Sequence, residues 1–169
     1  MFKHILIAVS SDTDRTALST ALKLAREQQA SVTVMHVVDW MVCVPGVEFL
    51  DCGMMLEHAQ EQGSLVLANA SQWLKDAGCD AQTYLATKGN WDGSIGKTIA
   101  DFARDRRADL IVLGRRPTGW WHWTQENVSF QVQRHASVPV LIAPDGKVHR
   151  SPTSHAMAEA VGPVASNVP

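Results

Sequence analysis

A chain of 169 residues, 46% of them hydrophobic, carries enough apolar side chain for one ordinary core and is short for two independent domains. Its formal net charge of −2 supplies no long-range attraction to nucleic acid or to an anionic membrane, so neither is expected as a partner. Cys43, Cys52 and Cys79 lie far apart with no Cys-x-x-Cys pair, which argues against a zinc or dithiol redox centre and for reduced thiols in the cytoplasm.

Met1-Phe2-Lys3-His4 leads straight into Ile5-Leu6-Ile7-Ala8-Val9, a run too short for a signal-peptide core or a membrane span. Its unbroken apolar character predicts a first strand buried on both faces and central in a sheet. Ser10-Ser11-Asp12-Thr13-Asp14 offers several helix-capping oxygens, and Ala17, Leu18, Ala21, Leu22, Leu24 and Ala25 then fall on one face of a helix from about Asp14 to Gln28. Val32 to Val38 is rich in β-branched residues and predicts a second strand, whereas Asp39 to Gly53, with Pro45 and Gly46, reads as a loop. A long second helix is predicted from near Met54, placing Leu56, Ala59, Leu65, Val66, Ala70, Trp73 and Leu74 before it ends at Gly78, with Gly63 a weak point in its middle.

Asp80 to Thr87 alternates only partly, as an edge strand does. Ile95, Ile99, Ala100, Phe102 and Ala103 form the apolar face of a third helix that closes on a solvated Arg104 to Arg107. Leu110 to Leu113 follows as a buried strand, and Val128, Val132 and Ala136 mark a short helix before a fifth strand, Val138 to Ala143. Strand and helix thus alternate throughout, which predicts a single doubly wound α/β domain over residues 1–144: a mostly parallel sheet with helices on both faces. Residues 145–169 turn to Pro, Ser, Ala, Gly and His without periodicity, the composition of a flexible C-terminal tail.

Gly93-Ser94-Ile95-Gly96-Lys97-Thr98 superficially matches a phosphate-binding P-loop, but the position that loop reserves for its first glycine is Trp91. A helix entry containing glycine, with Lys97 solvated, is the better reading. No nucleophile elbow and no convincing metal-ligand spacing occur, and a lone His36 at the end of a strand reads as hydrogen-bonded structure.

Ser10 and Ser11 lie at the carboxyl end of the first strand, where doubly wound sheets open a ligand crevice, although capping alone explains their chemistry. Arg115 and Arg116 directly follow the Gly114 turn, where they could meet an anion beside the next helix start. Trp120, Trp121 and Trp123 admit three readings: a lid over core, a stacking surface for a base, or an apolar patch for another chain.

Taken together, Lys3 to Val9, Val34-Met35-His36-Val37, Ala108 to Gly114 and Arg134 to Ile142 resemble the universal stress protein family, in consistent order over residues 3–143. The resemblance implies the Rossmann-like fold of adenine nucleotide alpha hydrolases, a five-stranded parallel sheet of order 3-2-1-4-5. It also implies a homodimer paired through the last strand, Val138 to Ala143, and an apolar edge strand of that kind is poorly left unpaired. Relatives that bind ATP carry an Asp after the first strand, then Gly-x-x-Gly and a later Gly followed by Ser or Thr. In this chain Gly114 matches, but the second glycine falls on Pro117 with Gly119 displaced, the final pair falls on Glu126 and Asn127, and the Asp aligns with Ser10. A carboxylate at Glu126 would repel an incoming phosphate by roughly 1 kcal/mol or more.

These departures resemble the branch of the family that does not bind ATP. The expectation is a non-enzymatic cytoplasmic stress-response homodimer with a degenerate ATP motif. An alternative is a nucleotide switch or weak ATPase holding ATP with magnesium on a rebuilt loop. That reading draws on Ser10, Ser11, the Val37 backbone, Gly114, Arg115, Arg116, Gly119, Asn127 and Val128. A third is a module that binds a protein or another ligand through Trp120 to Trp123.

Overall fold

The computed structural model describes residues 1–10, 15–39, 52–88, 93–114 and 127–143. Strands β1 (His4–Ala8), β2 (Ser31–Val38), β3 (Ala81–Thr87), β4 (Leu110–Leu113) and β5 (Val140–Ile142) alternate with helices α1 (Arg15–Gln28), α2 (Cys52–Asp76), α3 (Ile95–Asp105) and α4 (Val128–His135). The five strands form one sheet in the order β3-β2-β1-β4-β5, every neighbouring pair parallel.

The apolar run of β1 is central for the reason its composition suggests. Ile5, Leu6 and Ile7 are each 0% exposed, because successive side chains enter opposite faces and both faces are covered. On one side Ile5 and Ile7 join Val34, Leu110 and Val112 under Leu18, Leu22 and Ala25 of α1 and Leu67, Ala70 and Leu74 of α2. On the other, Leu6, Met35, Ile111 and Leu113 meet Ile99 and Ala103 of α3 and Val132 of α4. Each such aliphatic side chain, fully buried, contributes about 1.5–3 kcal/mol, so these two layers carry the stability of the domain.

Several boundaries differ from the sequence expectation. Helix α2 begins at Cys52, earlier than Met54, and runs unbroken through Gly63. That glycine is set by packing: a methyl group there would lie 2.7 Å from Leu85 Cδ1 and 2.8 Å from His36 Cδ2, so any other residue would force these side chains or α2 to shift. Gly78 ends the helix as predicted, at φ 73°, with its N–H on the Lys75 carbonyl and the Cys79 N–H on the Leu74 carbonyl. Arg26 of α1 donates to the Ala77 carbonyl at the same end. Strand β5 is shorter than Val138 to Ala143, although its pairing reaches further. The Ile111 N–H bonds to the Pro139 carbonyl, and the Ala143 N–H to the Leu113 carbonyl. Burial pushes the Cys79 thiol up, which keeps the reactive thiolate scarce.

The helix entry at Gly93 to Thr98 is accounted for without a phosphate. Ser94 caps α3 by accepting the Lys97 N–H at 2.9 Å. A Cβ on Gly96 would fall 2.4 Å from Gln131 Cβ and 2.8 Å from the Val132 nitrogen, so this glycine exists to let α3 and α4 touch. Lys97 is not simply solvated: its Nζ lies 2.6 Å from Asp101 Oδ2, and this hydrogen bond is the largest influence holding the Asp101 carboxyl below its usual range. Nor is the basic helix end merely solvated, since the Arg106 guanidinium lies 5.3 Å from the Phe102 ring centre and 5.5 Å from that of Tyr84.

Candidate functional site

The chain leaves β1 and β4 toward different partners, so the sheet reverses direction between them and opens a crevice beyond their carboxyl ends. Three expected residues meet there. Ala8 pairs with Met35 on one side and with Leu113 on the other. Gly114 therefore lies one position past the last β1–β4 pair, and Val37 two positions past the last β1–β2 pair. Ser10 is exposed, Val37 and Gly114 half-buried.

The β2 wall of the crevice is longer than the β1 wall. Strand β2 continues to Val38 after the register with β1 stops at Met35, and its outer edge stays bonded to β3 as far as Thr87. At this point His36 Nδ1 lies 2.9 Å from the Val9 carbonyl oxygen. A carbonyl can only accept, so Nδ1 carries the proton. The expectation that His36 is hydrogen-bonded structure therefore holds. Just beyond, the mostly buried ammonium of Lys88 is engaged by Asp39 at 3.4 Å.

On the opposite wall, Asn127 is the N-cap of α4. Its Oδ1 accepts the Phe130 N–H at 3.1 Å, occupying one of the donors a helix start would otherwise present to an anion. Val128, the first residue of α4, packs with Val37 and Ala8 against the same buried cluster. Ser11, Arg115, Arg116, Pro117, Gly119, Trp120 to Trp123, Glu126 and residues 145–169 lie outside the described residues.

Gly63, by helix propensity a weak point, and Val9, by its apolar run a strand end, both contribute to this end of the sheet. The detectable signals were a glycine retained inside an otherwise regular helical pattern and a histidine near the end of a buried strand. Among the described residues no group of three or more His, Cys, Asp or Glu could hold a metal ion, and no helix is long and apolar enough to cross a membrane.

The model of the universal stress protein family matches residues 1–144. The chain belongs to the universal stress protein family. It is 30% identical over 154 aligned positions to universal stress protein YxiE of Bacillus subtilis, covering 84% of this chain and 99% of that protein. A universal stress family protein from Burkholderia pseudomallei superimposes with a TM-score of 0.65 at 29% identity, over 84% of this chain and 96% of the other. The universal stress protein of Archaeoglobus fulgidus in complex with dAMP shares the fold, with a TM-score of 0.60 at 22% identity over 84% and 98% of the two chains.

Ser10 places a neutral residue at the end of β1, and the α4 start is capped by its own Asn127 side chain. The β2 wall makes no demand on side-chain identity, because any residue at Val37 supplies a backbone edge.

Proposed function

We propose that this universal stress protein is a non-enzymatic, cytoplasmic stress-response protein that does not hold ATP with magnesium tightly. The observation that carries the reading is the cap on α4, where Asn127 Oδ1 takes the Phe130 N–H, one of the donors a helix start would otherwise offer an anion. Glu126 in the preceding position adds a charge of the wrong sign for a phosphate. The nucleoside side of the crevice is less altered, and the dAMP complex of the Archaeoglobus protein makes a nucleotide with fewer phosphates the natural ligand class to compare. Equilibrium dialysis with magnesium and ATP is expected to give no saturable binding in the low micromolar range. Saturable binding at that level, abolished by Gly114→Trp, would favour the nucleotide-switch reading with Arg115, Arg116 and Asn127 at the phosphates.

The same protein is proposed to act as a homodimer through β5. This strand is an edge of the sheet, its three residues are apolar and half-buried, and Phe130 of the preceding helix is 56% exposed. Sedimentation equilibrium is expected to return a dimer; a monomer at every loading concentration would sink this part of the proposal.

A further inference from the structure

We infer that His36, seated against Gly63, is the positioning residue that ends the β1–β2 ladder and leaves the backbone edge of Val37 open to the crevice. The inference rests on the reading of that crevice as the ligand site. It goes further by assigning what keeps the site open.

The alternation of a strand fixes which way each peptide group points. The Met35 carbonyl accepts the Val9 N–H at 2.9 Å and so faces β1, while the Val38 carbonyl accepts the Lys88 N–H at 2.8 Å and faces β3. Val37, two residues after Met35, faces β1 again. Pairing Val9 with His36 in a parallel ladder takes two bonds: Val9 N–H to the Met35 carbonyl, which forms, and Val37 N–H to the Val9 carbonyl. The register stops one pair short of this, at Ala8 with Met35, and the Val9 carbonyl is held by the His36 imidazole instead.

A side chain has therefore taken the place of a backbone rung. Val9 is only 6% exposed, so its carbonyl must be bonded by something, and the ring satisfies it without drawing on Val37. The N–H and C=O of Val37 then stand side by side at the mouth. That pair matches a planar ligand edge presenting an acceptor next to a donor, as a nucleobase or a primary amide does.

Gly63 holds the ring in place. With a methyl group 2.8 Å from His36 Cδ2 and 2.7 Å from Leu85 Cδ1, α2 could not lie over the imidazole as it does. Two residues distant in sequence thus act as one device, the glycine admitting the ring and the ring replacing the rung.

Native-state amide hydrogen exchange of the full chain, read by NMR, tests this without any ligand. Val37 is expected to exchange much faster than Met35 in the wild type. His36→Asn, whose side-chain amide can donate from nearly the same place, is expected to keep that behaviour. In His36→Val the donor is gone, the Val9 carbonyl takes the Val37 N–H, and Val37 exchange slows by about tenfold or more. Leu6 and Ile7 amides, at the centre of the sheet, report whether each variant is folded. Slow exchange of Val37 in the wild type, or equal exchange in wild type and His36→Val, overturns the inference. Gly63→Ala, which displaces the ring, is expected to move Val37 in the same direction as His36→Val; no change would remove Gly63 from the device. Failure of the functional reading would appear as saturable ATP binding in dialysis and would leave this test untouched, since exchange at Val37 reads strand geometry with the crevice empty.

Discussion

The two ends of the β1–β2 pair treat the same problem in opposite ways. At the amino end β1 is tied down to the start of β4: Asp109 Oδ2 accepts the N–H groups of Lys3 at 2.7 Å and His4 at 2.9 Å, and the Asp109 N–H returns to the His4 carbonyl at 2.8 Å. His4 Nδ1 donates to the Arg106 carbonyl at 3.2 Å and its Nε2 meets the Thr33 hydroxyl at 2.8 Å. At the carboxyl end His36 also donates from Nδ1 to a carbonyl, but in doing so it takes the place of a rung between the strands. One histidine closes the sheet and the other leaves it ajar. The lesson is that a hydrogen bond of ordinary length can either join two strands or separate them, depending on which backbone group it replaces.

The larger of two further effects lies at the open end. Replacing Asn127 with Ala removes the α4 cap and is expected to lower stability by about 1 kcal/mol, read as the urea midpoint. If the cap is what blocks the anion position, added inorganic phosphate restores part of that loss in the variant and does nothing for the wild type, because binding to the folded state alone stabilises it. Equal phosphate response in both proteins would mean that the α4 start is no less available in the wild type, and the contrast between the two ends would weaken.

How much of this was legible in the sequence depended on whether the cause was local. The central strands were plain because Ile5 to Ile7 and Ile111 to Val112 are buried on both faces and must be continuously apolar. The edge position of β3 showed in its broken alternation, and the Asn127 cap in a residue type suited to that place. The start of α2 was missed because Cys52 and Gly53 carry no helical period of their own. Gly63 was misjudged for a different reason: propensity prices a glycine against water, whereas here its neighbours are Leu85, His36 and Val38 from two strands. The Asp109 contacts span 105 and 106 residues of sequence, and no local pattern announces a bond of that range.

The smaller effect lies at the closed end and is a change of shape with pH. The backbone N–H groups of Lys3 and then His4, both donating to its carboxylate, hold the Asp109 carboxyl below its usual range. The folded protein therefore binds this proton less readily than the unfolded chain, and the unfolded state carries more protons through the lower carboxylate range. Stability from this group is present above the unfolded value, near pH 4, and is lost as pH falls through the depressed folded value. Asp109→Asn keeps one acceptor oxygen and has no proton to gain. Its urea midpoint is expected to fall less steeply with acid than that of the wild type, and the two proteins should differ less at the lowest pH than at neutrality. Parallel midpoint curves from neutral pH into acid would show that Asp109 does not close this end by charge. The contrast with His36 would then rest on geometry alone.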